Sequence, residues 1–147
     1  KINQRQLDRF IDRIRESLWV IDEKRIAVWG LAFKPNTDDV RCSVALDLVG
    51  KLVAEGARIT AYDPKGMDRV RDLPIGAAIT LASSPEEAAR GAEALIIATE
   101  WPDFAHVDFA AVKESMHSPL LFDGRNLLDP ETMRKHGFEY HGIGRGV

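Results

Sequence analysis

The sequence predicts an α/β fold in three layers: a parallel sheet with helices on both faces, preceded by the end of a long helix. Three observations lead there. Short apolar runs alternate with segments of helical periodicity along the whole chain. The run Ala94–Ala98 is apolar at every position rather than at every second one, as a strand buried on both faces must be. Capping and turn residues such as Ser43, Gly56, Asp63-Pro64 and Ser84-Pro85 stand at the junctions between these segments.

Leu7, Phe10, Ile11, Ile14, Leu18 and Ile21 recur at three- and four-residue spacing, which predicts a helix from about Asn3 to Asp22 with one apolar stripe. Ile26–Val28 is a short apolar strand that stops at Gly30. Ser43 is the expected cap of a second helix whose buried stripe is Ala45, Leu48, Val49, Leu52 and Val53, and Gly56 ends it. Arg58 to Tyr62 is the next strand, closed by Asp63-Pro64. Met67 to Arg71 reads as one helical turn and Ala78 to Leu81 as a short strand. Ser84-Pro85-Glu86-Glu87 starts a helix with a cap, a proline in the first turn and acids at the positive end of the dipole, running to about Arg90. After the strand Ala94–Ala98, Phe109 to Met116 reads as a helix, Leu120 to Phe122 as a strand, Pro130 to Lys135 as a helix and Phe138 to Tyr140 as an edge strand.

At 147 residues the chain fits one domain with a core that needs neither metal nor disulfide. A formal charge of −3 gives no general attraction to nucleic acid or to an anionic membrane, so any phosphate site must be built from a few placed cations. Cys42 is the one cysteine, which excludes an intrachain disulfide and leads to the expectation of a reducing, cytoplasmic setting. No apolar run approaches the length of a membrane span. The chain starts at Lys1, inside a helical pattern, and is expected to be a piece of a longer protein.

In a parallel sheet of this kind ligands bind beyond the carboxyl ends of the strands. The segments to inspect are Gly30–Arg41, Asp63–Met67, Thr99–Phe104 and Asp123–Leu128. In the first, Gly30 permits a tight turn, Phe33 offers a flat apolar face, Lys34 a point charge suited to phosphate, and Arg41 a guanidinium fork just before the second helix. Asn36, Thr37, Asp38 and Asp39 form a polar turn. Neither G-x-G-x-x-G nor G-x-x-x-x-G-K-[ST] is present, which argues against a self-sufficient NAD- or ATP-binding unit. A long solvated surface loop accounts for the same composition. Arg125, after Gly124, sits where it can reach toward Lys34 across the strand ends, or pair with Asp123 or Asp38 instead. Trp101 and Phe104 read as packing, and Asp63-Pro64 as a turn rather than a ribose ligand. Glu100 is placed to bond a hydroxyl or to fix a neighbouring loop. Cys42 has no nearby histidine, and His106, His117, His136 and His141 lack ligand spacing, so neither a catalytic pair nor a metal site is expected.

The run GLAFKPNTDDVR with Ser43-Val44-Ala45-Leu46-Asp47, then Ala61-Tyr62-Asp63-Pro64, Thr99-Glu100-Trp101, Asp123-Gly124-Arg125-Asn126 and Gly142-Ile143-Gly144-Arg145, together resemble the UDP-glucose/GDP-mannose dehydrogenase family. The motifs stand in family order across nearly the whole chain, and their wording is most similar to the UDP-glucose 6-dehydrogenase branch. The resemblance implies a Rossmann-like C-terminal domain that binds a UDP-sugar, spanning 23–147. It also implies that residues 1–22 end the central helix that connects the domains and supports a homodimer.

In such enzymes an upstream domain binds NAD, and an upstream cysteine carries the oxidation of the sugar C6 alcohol to a carboxylate. This chain lacks that cysteine's motif, so no catalytic residue is expected here. By the same resemblance Phe33, Lys34 and Arg125 match substrate contacts, and Arg41 matches an arginine that reaches the NAD held by the other domain. Cys42 and Val44 depart from the family, which often has Glu and Pro there. GDP-mannose or a UDP-N-acetylhexosamine as substrate, a nucleotide-binding module without chemistry, and an assembly protein with a vestigial site remain open at this point.

Overall fold

The computed structural model describes residues 4–32, 34–40 and 43–142. Six strands form one sheet: β1 (Arg25–Trp29), β2 (Arg58–Tyr62), β3 (Thr80–Leu81), β4 (Ala94–Ile97), β5 (Leu120–Asp123) and β6 (Glu139–Gly142). Their order is β3-β2-β1-β4-β5-β6, and every neighbouring pair is parallel. The chain builds outward from β1 through β2 and β3, then returns to place β4 on the other side of β1. The reversal lies between β1 and β4, where open sheets of this order hold their ligands.

Alternation along the strands divides the core in two. Ile26 and Val28 of β1, Ile59 and Ala61 of β2, Ile96 of β4 and Phe122 of β5 face one side. There they meet α1 (Gln4–Leu18), α2 (Val44–Ala54) and α3 (Met67–Arg71). Ala27 and Trp29 of β1, Leu95 and Ile97 of β4, and Leu121 of β5 face the other side. They meet α4 (Pro85–Ala89), α5 (Phe109–Ser115) and α6 (Pro130–Lys135). β1 and β4 are therefore buried on both faces, as their unbroken apolar runs require.

The stripe of α1 lies on this domain's own sheet: Leu7, Phe10, Ile11, Ile14 and Leu18 are all buried, and Phe10 meets Phe122 edge-on at 6.1 Å. Arg13 Nη1 also donates to Gly142 O at 2.8 Å, tying the helix to β6. The helix stops at Leu18, short of the expected Asp22, because Trp19 takes a left-handed conformation (φ 70). Ile21 is still buried, but from a turn rather than from the helix.

Most other boundaries agree with the pattern to within two residues. Ser43, Ser84, Asp108 and Asp129 each cap a helix by accepting from a backbone N–H in its first turn. The expected strand at Ala78–Leu81 is shortened to Thr80–Leu81, because Ala78 ends a 3₁₀ turn, Pro74–Ala78. A second 3₁₀ turn, Pro102–His106, follows β4.

Candidate functional site

The carboxyl ends of β2, β1, β4 and β5 bring the four singled-out segments to one edge of the sheet. Gly30 leaves β1 at φ +104, and a Cβ there would lie 2.5 Å from Thr99 Cβ and 2.6 Å from Thr99 N. Only glycine lets β1 and the segment after β4 approach this closely. Thr99 Oγ1 then donates to Ala32 O at 2.9 Å. The base of the switch-point crevice is thus closed by protein.

Asp63, at the end of β2, is fully buried. Its Oδ2 accepts from Leu31 N (2.7 Å), Ala32 N (2.9 Å) and Trp101 Nε1 (3.1 Å), and its Oδ1 from Lys65 N (2.9 Å) and Gly66 N (2.7 Å). An acid here holds a ribose in a dinucleotide-binding sheet, and the first turn's N–H groups hold pyrophosphate. In this chain the acid consumes those N–H groups itself. With no glycine fingerprint, the residues present do not fit a dinucleotide at this crevice. The expected turn at Asp63-Pro64 is real, but the side chain also braces the loop after β1.

That loop is tied at its two ends, because Ser43 Oγ donates to Leu31 O at 2.8 Å while accepting from Leu46 N. Between them Asn36 adopts φ 68, Thr37 Oγ1 accepts from Asp39 N (3.1 Å), Asp38 pairs with Arg69 (3.0 Å), and Val40 is buried. Lys34 is exposed and has neither hydrogen bond nor ion pair among the described residues. Phe33, Arg41 and Cys42 lie outside the described residues, as do Ile143, Gly144 and Arg145.

The end of β5 repeats the device. Asp123 is fully buried and accepts from Arg125 N (3.1 Å), Leu127 N (3.1 Å), Leu128 N (2.8 Å) and the Tyr140 hydroxyl (2.8 Å). Gly124 N donates to Ile97 O at 2.9 Å, and a Cβ at Gly124 would stand 3.0 Å from that oxygen. The turn therefore presses β5 onto β4 and presents Arg125 beside the segment after β4.

The Arg125 side chain pairs with neither Asp123 nor Asp38. It lies on Glu100: Nε is 2.7 Å from Oε1, and Nη2 donates to Oε2 at 3.0 Å. The Nε contact is close but off the hydrogen-bond axis, so Oε1, itself shielded from solvent, has an ion contact rather than a well-directed bond. Burial pushes the Glu100 carboxyl up. The Arg125 hydrogen bond, a backbone hydrogen bond and the Arg125 charge together outweigh it and hold the group below its ordinary value. Trp101 and Phe104 are buried packing residues, with Phe104 5.3 Å from Trp29.

Sequence reasoning left Glu100 open between two roles and did not find Asp123 as a brace. The signal for Asp123 was present: an aspartate closing an apolar strand directly before glycine is shielded from water and has fresh backbone donors to accept from. Among the described residues there is no cluster of His, Cys, Asp and Glu able to hold a metal, and no helix long and apolar enough to cross a membrane.

Residues 27–130 match the family model described as UDP-glucose/GDP-mannose dehydrogenase family, UDP binding domain. The UDP-glucose 6-dehydrogenase of Rhizobium meliloti (strain 1021) is 50% identical over 121 residues, covering 82% of this chain and 27% of that protein. The UDP-glucose 6-dehydrogenase of Pseudomonas aeruginosa is 44% identical over 126 residues, covering 83% of this chain and 28% of that protein. The solved structure of a UDP-glucose dehydrogenase from Pyrobaculum islandicum superposes with a TM-score of 0.81 at 30% identity, covering 96% of this chain and 30% of that one. The chain thus spans under a third of the length of these relatives.

Proposed function

Since the chain belongs to the UDP-glucose/GDP-mannose dehydrogenase family, we propose that it is the nucleotide-sugar-binding part of an NAD-dependent UDP-glucose 6-dehydrogenase, which oxidises UDP-glucose to UDP-glucuronate. One observation carries this reading. The dinucleotide features of the sheet are filled by protein, while two cations stand at the same strand ends for a diphosphate: Lys34, exposed and unpaired among the described residues, and Arg125, seated on Glu100 with Nη1 left over. Asp63 occupies the N–H groups that would take a pyrophosphate, so affinity for phosphate must come from side-chain charge.

In this reading Lys34 and Arg125 neutralise the diphosphate, and Phe33 supplies an apolar face for the sugar nucleotide. NAD would supply the hydride acceptor in the complete enzyme and would be held mainly by another domain of the same polypeptide, with Arg41 of this chain reaching toward it. The residues of this chain bind and orient; the bond-breaking groups lie elsewhere. We also propose that residues 1–22, which include α1, are the end of a connecting segment that supports a homodimer, that residues 23–147 form the sugar-nucleotide domain, and that the protein works in the cytoplasm, where Cys42 stays reduced.

Calorimetry of this chain with UDP, GDP and NAD tests the reading. Weak binding of UDP, weaker binding of GDP and no detectable binding of NAD are expected, together with no NADH production from UDP-glucose. Equal affinity for UDP and NAD, or turnover by the chain alone, would overturn it.

A further inference from the structure

Arg125 is the cation whose place in the fold is set before any ligand arrives, and the residue that sets it is Glu100. A guanidinium offers five N–H bonds in a rigid plane. The Glu100 carboxylate lies along one side of it, against Nε and Nη2. Nη1 has no hydrogen-bond partner among the described residues, and the Arg125 side chain keeps 21% of its exposure. The pair therefore leaves the outer end of the fork available while fixing its plane. Both partners sit on fixed backbone. Arg125 N donates to the buried Asp123, and Trp101, directly after Glu100, is locked through Nε1 to the buried Asp63.

We propose that Glu100 is a positioning residue for nucleotide binding: it orients the Arg125 guanidinium so that its free Nη1 end meets the diphosphate, and it stays paired while the ligand is bound. This rests on the reading that Arg125 contacts a nucleoside diphosphate. An arginine released from Glu100 would have to be ordered by the ligand, which lowers affinity about two- to tenfold for one long side chain.

Replacing Glu100 also removes a negative charge near the phosphate, so two substitutions are compared that remove the same charge. Glu100→Gln keeps one oxygen for the guanidinium and Glu100→Ala keeps none. UDP affinity, measured by calorimetry, is expected to fall about threefold in Glu100→Gln and about tenfold in Glu100→Ala. In an Arg125→Ala background the two substitutions should act alike, through the lost charge alone, because the difference between them passes through the arginine.

Wild-type or tighter binding in Glu100→Ala would overturn the proposal and make Glu100 a competitor of the ligand. A difference between Glu100→Gln and Glu100→Ala that persists without Arg125 would overturn it too, as an effect on the fold. If Arg125→Ala alone leaves UDP affinity unchanged, the site reading fails instead. The orientation is then judged on the ligand-free chain by the Arg125 Nε–H signal in NMR. Restricted guanidinium rotation is expected in wild type and free rotation in Glu100→Ala; free rotation in both would overturn the positioning role.

Discussion

The loop after β1 and the turn after β5 solve the same backbone problem and treat their cations in opposite ways. Each is fastened by a buried aspartate at a strand end: Asp63 takes five N–H donors, and Asp123 takes three N–H donors and a tyrosine hydroxyl. Yet Lys34 stands exposed and unpaired among the described residues, whereas Arg125 is seated on Glu100. A flexible ammonium delivers charge wherever the ligand settles. A seated guanidinium defines where the ligand settles. The difference teaches that a rigid backbone does not by itself preorganise a charge; the side chain needs its own partner.

The largest effects should come from the braces. Asp63→Asn turns one acceptor oxygen into a donor that must face buried N–H groups, and is expected to cost about 3 kcal/mol in urea unfolding. Asp123→Asn should cost less, about 2 kcal/mol, because the Tyr140 hydroxyl can rotate to donate elsewhere or to accept. Equal losses, or losses below about 1 kcal/mol, would break the claim that these acids hold the loops.

Next come the cations, tested for UDP affinity by calorimetry. Arg125→Ala is expected to lose about 2–3 kcal/mol, and Arg125→Lys to recover little of it, since one ammonium cannot serve Glu100 and a phosphate in the fork geometry. Lys34→Ala should lose about 1.5 kcal/mol, and Lys34→Arg should bind nearly as wild type, because no partner dictates the shape of that cation. Rescue by Lys at 125, or its failure by Arg at 34, would erase the contrast between the two regions.

The smallest effect is a pH dependence confined to the Arg125 side. The Glu100 carboxyl is held below its ordinary 4.5 in the fold. Its pairing therefore contributes stability that is complete above 4.5 and is lost as pH falls through the lowered value. Its partial exposure keeps that contribution below about 1 kcal/mol. Urea unfolding between pH 6 and pH 3, pH values chosen on the order of the carboxylate range, should show a shallower acid loss in Glu100→Gln than in wild type. Lys34→Gln should leave the slope unchanged, and a matching change there would show that the slope does not report the Arg125 pair.

Most of the architecture was legible in the chain. Alternation of strand and helix, the all-apolar runs and the caps at Ser43 and Ser84 are local signals, carried by residues a few positions apart, and they placed most element boundaries within two residues. The exceptions were also local competitions: Trp19 turning left-handed to end α1, and Pro74 diverting the approach to β3 into a 3₁₀ turn. The candidate segments were legible for the same reason, since each directly follows a strand.

Partnership was not legible. That Asp63 binds Leu31, Ala32 and Trp101 rather than a ribose follows from the sheet order, which lays β1 between β2 and β4. That Arg125 chooses Glu100 over Asp123 or Asp38 follows from β4 lying next to β5, while Asp123 turns inward to the backbone and Asp38 is held by Arg69. The sequence by itself determined which residues stand at the strand ends. The tertiary structure alone decided which of them are used up as scaffold and which are left for a ligand. A carboxylate's partner is whichever donor the fold brings within about 3 Å, and that proximity is set by the order of strands rather than by any local spacing.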